Sequence, residues 1–468
     1  MKAATRPPSS FSSHLDNAPR RRNPLSAMTN SSSSDRASRR NFLKSTSLLA
    51  GAAALAPASP SALQPQPRAT GDDANSLPPA FSSLKPLGDK VKPIRPDEFQ
   101  ARIAHAQQLM TDQPEKFGAI FVAPGTALYY FTGVHWWPSE RLLGLFIPAS
   151  GEPLMVCPAF EEGRLREQLK IPADIHVWQE DESPTQLAAK SLADRGLRTG
   201  RIGIEETCMF TFSDHLRQAA PSLELISADP VTIGCRAQKS DHELELMRLA
   251  CDATFDVFRA VFASLQPGMS QAQIGDLVSN GFAKMHLRGD ALVLIGASAA
   301  LPHGSIKPQT LKEGDVVLID GGCKVEGYES DVTRTGAFGK PSAKASQVYE
   351  IVRHAQDAAL DAARAGKLSG TVDDAARAVV TNAGFGPGYK YFTHRLGHGI
   401  GLDGHEHPYL VRGSKTVLAP RMTFSNEPGI YIVGEFGLRC EDDMVITQDG
   451  PAQLLTQRFQ VSLEKPLG

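Results

Sequence analysis

Residues 394–407 read HRLGHGIGLDGHEH: four histidines, with Gly397, Gly399, Gly401 and Gly404 between them. A lone histidine on such a loop is ordinarily a solvated side chain. Four of them, among glycines that let backbone crowd a ligand, point to metal binding or proton transfer. Two apolar stretches elsewhere run into acids: Asp315–Gly322 (DVVLIDGG) carries Asp320, and Arg421–Gly429 (RMTFSNEPG) carries Glu427. Each has a second acid on the following strand-like segment, Asp331 and Glu441. A buried carboxylate without a partner is costly, and four together repel, yet no cluster of Lys or Arg accompanies them. Two divalent cations would balance them. Carboxylate oxygens with one imidazole suit Mn²⁺, Co²⁺, Fe²⁺ or Zn²⁺ rather than a cysteine-based zinc site. A pair of such ions polarises a carbonyl and activates water, which is hydrolytic chemistry. The six cysteines show no CxxC spacing and read as core residues.

The elements that must hold these residues come as a repeat. Ser240-Asp241-His242-Glu243 is a capping box that opens a long helix. This helix reads Glu245-x-x-Arg248-x-Ala250-x-Asp252-Ala253-x-x-Asp256, and the same pattern returns as Glu350-x-x-Arg353-x-Ala355-x-Asp357-Ala358-x-x-Asp361. Each copy leads to a second helix and then to an acid-bearing strand, so the spacing predicts a duplicated helix–helix–strand unit over residues 236–468. Residues 96–235 alternate helical and strand-like runs. Among them, Leu142–Ile147 and Pro153–Cys157 flank a hairpin signal at Ala149-Ser150-Gly151. They predict an α/β domain without a catalytic cluster.

The N-terminal end is different in kind. Of the 49 basic and 51 acidic residues, nine and two fall in residues 1–58, which leaves the rest of the chain at a net charge of −9. Such a surface is unsuited to nucleic acid. Ser38-Arg39-Arg40-Asn41-Phe42-Leu43-Lys44, an uncharged run to Ala56 and the small-x-small site Ala56-Pro57-Ala58 resemble a twin-arginine export signal. Residues 1–58 are therefore expected to be signal peptide and leader, with Met28 an alternative start, and the mature protein to be periplasmic or otherwise exported. The Pro/Ser-rich residues 59–95 are expected to be a linker.

Pro302-His303-Gly304, Asp320 with Asp331, His394-x-x-x-His398 with His405, Glu427-Pro428-Gly429 and Arg439-x-Glu441 together resemble the pita-bread metallopeptidases. These are aminopeptidase P, prolidase and methionine aminopeptidase, with creatinase as a relative. The resemblance covers about residues 96–468. It implies an α/β N-terminal domain plus an α+β pita-bread catalytic domain with an internal pseudo-two-fold repeat. It also implies two divalent metal ions, manganese foremost and cobalt, zinc or iron as alternatives. Asp320 would bind one ion, His398 and Glu427 the other, with Asp331 and Glu441 bridging. Glu427 would take a proton from water, and His405 would bond the oxyanion. His303 and His394 would hold the substrate, bordered by Arg439, which would support Glu441. The implied activity is cleavage of Xaa-Pro bonds in proline-containing peptides, in the manner of aminopeptidase P. The alternatives are an Xaa-Pro dipeptidase, a hydrolase of a non-peptide amide and a non-enzymatic binding module. A dipeptidase needs a cation for the free carboxylate, and Arg412 is the candidate. Further partners are the export machinery and copies of the chain itself, as a dimer or tetramer, with Trp136 and Trp137 expected to help shape the active site. His407 has no assigned role.

Overall fold

The computed structural model describes residues 77–456 and 461–468. The expected signal peptide lies outside the described residues, as does most of the expected linker. From Leu77 onward the linker expectation is corrected. Pro79–Ser83 forms a short 3-10 turn whose Phe81 is fully buried, packed close to Gly281 and Val257, and Leu84 follows it into the core. The composition of the segment is loop-like, but one aromatic side chain of this size is enough to dock it.

The first domain places helices on a six-stranded sheet. In chain order it comprises α1 (Pro96–Asp112), β1 (Phe117–Val122), α2 (Thr126–Thr132), β2 (Gly144–Pro148), β3 (Leu154–Pro158), α3 (Glu162–Gln168), β4 (Asp174–Trp178), α4 (Pro184–Asp194), β5 (Gly200–Ile204), α5 (Phe210–Ala219), β6 (Leu223–Ser227) and α6 (Asp229–Ala237). The strand order is β4-β3-β2-β1-β5-β6. The β2–β3 pair is antiparallel as its hairpin signal predicts, whereas β1–β5 and β5–β6 are parallel, the latter joined through α5.

Three residues separate α6 from the second domain. The Ser240 hydroxyl accepts from the Glu243 N–H, and the Glu243 carboxylate accepts from the Ser240 N–H. This capping box opens α7 (Asp241–Phe262). There follow α8 (Gln271–Lys284), β7 (Arg288–Ile295), β8 (Val316–Val325), β9 (Tyr328–Glu329) and β10 (Val332–Ala337). The second copy supplies α9 (Ala343–Ala362), α10 (Ser369–Asn382), β11 (Gly397–Gly399), β12 (Glu406–Leu410), β13 (Thr423–Asn426), β14 (Gly429–Ile432), β15 (Phe436–Arg439), β16 (Asp442–Val445) and β17 (Gln453–Leu454). Each half is thus a helix pair followed by an antiparallel sheet, β10-β8-β7 in the first and β12-β11-β13-β16-β17 in the second. The repeated alanines Ala250 and Ala355 are buried on α7 and α9.

One apolar core crosses the domain boundary. Phe99, Ile103, Tyr130 and Val231 of the first domain lie in the same cluster as Leu246, Phe258, Ile319 and Cys323 of the second. Arg102 is buried at this junction and donates to Glu243, the Tyr328 hydroxyl and the Tyr130 carbonyl.

Phe81→Ala should lower unfolding stability by about 3 kcal/mol, the usual cost of emptying an aromatic site in a packed core. Denaturant unfolding checks this, and a change near zero would restore the linker reading.

Candidate metal centre

The two sheets bring their acids to one place. Asp320 sits in the middle of β8, paired with Thr333 of β10 and Leu292 of β7. Asp331 immediately precedes β10, Glu427 follows β13, and Glu441 precedes β16, whose Asp442 pairs with Asn426. Two glycines permit this crowding. A Cβ on Gly322 would lie 1.9 Å from the Ser330 carbonyl oxygen, and one on Gly397 would lie 2.1 Å from that of Ser425. A side chain at either position would push apart the strands that carry Asp331 and His398.

Asp320, Asp331 and Glu441 offer oxygens within 4.8 Å of one another, and a His398 ring nitrogen lies equally close to oxygens of Glu427 and Glu441. Burial pushes the Asp331 and Glu441 carboxyls well above the ordinary range, and the neighbouring carboxylates push them further. Burial, helped by the charge of Asp320, takes Glu427 to about 8 against the pull of Arg439. Burial would also lift Asp320, but the adjacent Arg439 guanidinium holds it below its usual value. Thr333 Oγ1 lies 2.5 Å from Asp320 Oδ1 and 2.6 Å from Glu441 Oε2. Its single proton can serve only one of them, so the other needs a carboxyl proton or a cation.

His398 makes the same point. Its Nδ1 lies 3.1 Å from the Gly399 carbonyl and must donate to it. Burial, then His405, depress its pKa to about 3, so the ring is neutral. Its Nε2 lone pair therefore faces Glu427 Oε1 at 3.4 Å and Asp331 Oδ2 at 3.7 Å, electron pair against anion. A cation among them, or a proton kept on one of the acids, makes that arrangement favourable. The donor set, four hard carboxylates and one imidazole, fits divalent metal ions.

The remaining expected residues distribute unevenly. His405, exposed, stacks on His398 with ring centroids 3.7 Å apart. Arg395 Nη2 approaches its Nδ1 at 3.4 Å, which leaves the His405 Nε2–H as a free donor. Burial and Arg395 depress the pKa of His405, and His303 adds to the effect; His303 itself lies on the exposed turn after Ala300. His394 differs from the expectation of a substrate holder. Its Nδ1 donates to the Arg395 carbonyl and its Nε2 accepts from the Tyr431 hydroxyl, so both nitrogens are occupied. Arg439 is also corrected. It is buried against Asp320, Thr333 and Tyr431, supporting Asp320 rather than Glu441, and it presents no open face to a substrate. Arg412 points to Asp374 on the surface, and His407 tilts against Tyr409. Trp136 lies under Arg164, and Trp137 is exposed beside Phe160 in a groove that contains none of the site residues. The six cysteines are free, and all but Cys208 are buried.

Sequence reasoning missed Arg395. It stacks over the Tyr409 ring at 4.1 Å and forms no ion pair among the described residues. Its only sequence signal was its place inside the opening stretch. A cavity of about 600 Å³ opens beside Asp331 and His405 over Gly321 and Gly322, a volume suited to a small ligand.

This fold and donor set define a metal-dependent hydrolase of pita-bread architecture. Residues 245–448 match metallopeptidase family M24, and residues 102–238 match the creatinase/prolidase N-terminal domain. The chain is 34% identical over 348 residues to an Xaa-Pro dipeptidase of Lactobacillus delbrueckii subsp. lactis, which covers 70% of this chain and 90% of that protein. Among solved structures, the dipeptidase PepE from Mycobacterium ulcerans matches with a TM-score of 0.73 and 32% identity, covering 80% of this chain and 99% of the other. A prolidase from Thermococcus sibiricus matches at 0.70 and 30%, covering 77% and 97%. The chain belongs to metallopeptidase family M24.

Stripped of cations by a chelator, the folded protein keeps the Glu427 proton to about 8, whereas the unfolded chain releases it near 4.5. The folded state then binds more protons across that interval, so stability falls as pH rises. Metal-free protein should lose Tm between those pH values, and added Mn²⁺ should raise Tm most at the alkaline end. A metal-free Tm that climbs with pH would contradict the electrostatics of this cluster.

Proposed function

We propose that this enzyme is a dinuclear Xaa-Pro dipeptidase. The observation that carries the reading is the unpaired Arg395 guanidinium beside His405. A dipeptide ends in a free carboxylate next to its scissile bond, and an aminopeptidase substrate does not. The dipeptidase and prolidase names of the relatives support the same choice, in place of the aminopeptidase P activity favoured by the sequence alone. Asp320, Asp331, His398, Glu427 and Glu441 would hold two divalent ions, manganese foremost. When bound, these supply Lewis-acid polarisation of the scissile carbonyl and a more acidic water.

The chain's own groups do the rest. Glu427 takes the proton of the attacking water and passes it to the leaving proline nitrogen. The His405 Nε2–H donates to the carbonyl oxygen as negative charge develops there. Arg395 pairs with the carboxylate of the departing proline and at the same time orients the His405 ring. His394 braces the Tyr431–Arg439 array behind Asp320, and His303 borders the exposed side of the site. We also propose that the chain works as a homo-oligomer.

A panel of Xaa-Pro dipeptides against Xaa-Pro-Yaa tripeptides tests the assignment. Dipeptides should be preferred, and Arg395→Gln should raise their KM about tenfold, the worth of one charge-assisted hydrogen bond. Equal cleavage of tripeptides with an unchanged KM would return the reading to aminopeptidase P. His405→Ala should keep its metals and lose about 10²–10³ in kcat. If the metals leave with it, His405 is a ligand.

We further propose that the Arg39-Arg40 motif exports the folded, metal-loaded enzyme. Manganese binds weakly in the divalent series, so closing the site before export would protect it from tighter-binding ions. Arg39→Lys with Arg40→Lys should leave active enzyme in the cytoplasm, as fractionation would show. Normal export of this variant would remove the proposal.

A further inference from the structure

The loop that carries His405 is held from outside the catalytic domain by a buried set of charges. Arg236, near the end of α6, donates from Nη2 to Asp403 Oδ2 at 2.6 Å and to Glu406 Oε2 at 2.5 Å. Lys239, in the short connection to α7, donates to Glu406 Oε1 at 2.5 Å and to the Arg236 carbonyl at 2.8 Å. Thr126, the first residue of α2, donates to Asp403 Oδ1 at 2.5 Å. Arg236, Lys239 and Glu406 are all buried. Two cations face two carboxylates, so the set is neutral, and its members flank His405 in sequence on both sides.

The loop is fitted closely to this set. A Cβ on Gly401 would lie 2.6 Å from Glu406 Oε1 and 2.8 Å from Lys239 Cε, so a side chain there would displace this ion pair. The Glu329 N–H bonds the Gly401 carbonyl, which ties the same turn to β9. His405 itself has no such anchor. Its ring is exposed, stacks on the His398 face and takes the tip of Arg395. What fixes its backbone is therefore the pair Asp403 and Glu406.

We propose that this ion cluster is a positioning device through which the N-terminal domain and the interdomain connection place His405 for catalysis. Arg236, Lys239, Thr126, Asp403 and Glu406 are positioning residues, and none of them touches the substrate. The inference rests on the role given above to His405. An oxyanion donor acts in the transition state more than in the bound substrate, so loosening its loop lowers kcat and leaves KM nearly unchanged.

A double-mutant cycle on the full-length metal-loaded enzyme tests it, with an Xaa-Pro dipeptide as substrate. Glu406→Gln keeps the side chain's shape but removes the charge that both cations share. It should retain wild-type metal content and lose at least ~10-fold in kcat, since small misplacements of a catalytic group are expensive. Thr126→Val removes only the N-terminal domain's bond to Asp403. It should give a smaller loss in the same direction without a change in Tm, which keeps the test open if the first variant folds poorly. Combining either change with His405→Ala should add almost nothing to the loss from His405→Ala alone, because residues acting as one unit are not additive. Losses that multiply, or Glu406→Gln and Thr126→Val variants with wild-type kcat, would overturn the inference. Absence of dipeptide hydrolysis by the wild-type enzyme would instead defeat the proposed function.

Discussion

Like charges confined to a dry volume must be neutralised or kept protonated, and the catalytic half of this protein is organised around that constraint. Asp320, Asp331, Glu427 and Glu441 converge where two antiparallel sheets meet. One guanidinium, Arg439, enters the array and takes Asp320. Among the described residues the remaining three acids have no Lys or Arg within ion-pair distance, and the neutral His398 ring turns a lone pair toward two of them. Cations complete the structure in the sense that a missing residue would. The glycines at 322 and 397 follow from the same constraint, since strands that deliver four acids to one point must approach more closely than side chains allow.

Around that centre, hydrogen bonds fix the direction in which each imidazole works. The Gly399 carbonyl holds the His398 Nδ1–H and leaves its Nε2 lone pair facing the acids. Arg395 commits His405 to donation through Nε2. His394, locked between the Arg395 carbonyl and Tyr431, is committed to support. Three histidines from one short stretch thus differ in what their remaining nitrogen is left to do. Arg395 is the common neighbour, with its carbonyl on His394 and its guanidinium on His405.

Much of this centre was legible in the sequence, for a physical reason. Acids within or beside apolar strands, repeated in two copies, are costly unless they share a ligand, so Asp320, Asp331, Glu427 and Glu441 could be grouped before any coordinates, although β8 runs on past Asp320 to Val325. The helix pairs were legible from the Ser240 capping box and the repeated alanines. What was not legible depends on which way a side chain points or on long-range partners. Arg439 stands two residues from Glu441 in sequence yet turns to Asp320, 119 positions away. Lys239 meets Glu406 across 167 positions, and no periodicity encodes that. Phe81 was hidden by the proline and serine around it, because composition averages away a single anchoring ring.

The apolar core that runs from Phe99 and Tyr130 into Phe258 and Ile319 also bears on how such proteins diverge. Each domain has a core of its own, but this third interior belongs to both, so each supplies a wall of the other. A gene fragment for one half cannot be exchanged with that of a distant relative unless both the apolar face and the charged seam beneath α6 match. Inheritance should therefore treat residues 77–468 as one unit. Substitutions at the seam should be accepted in pairs across the boundary, while the outer strands and loops of the first domain drift independently.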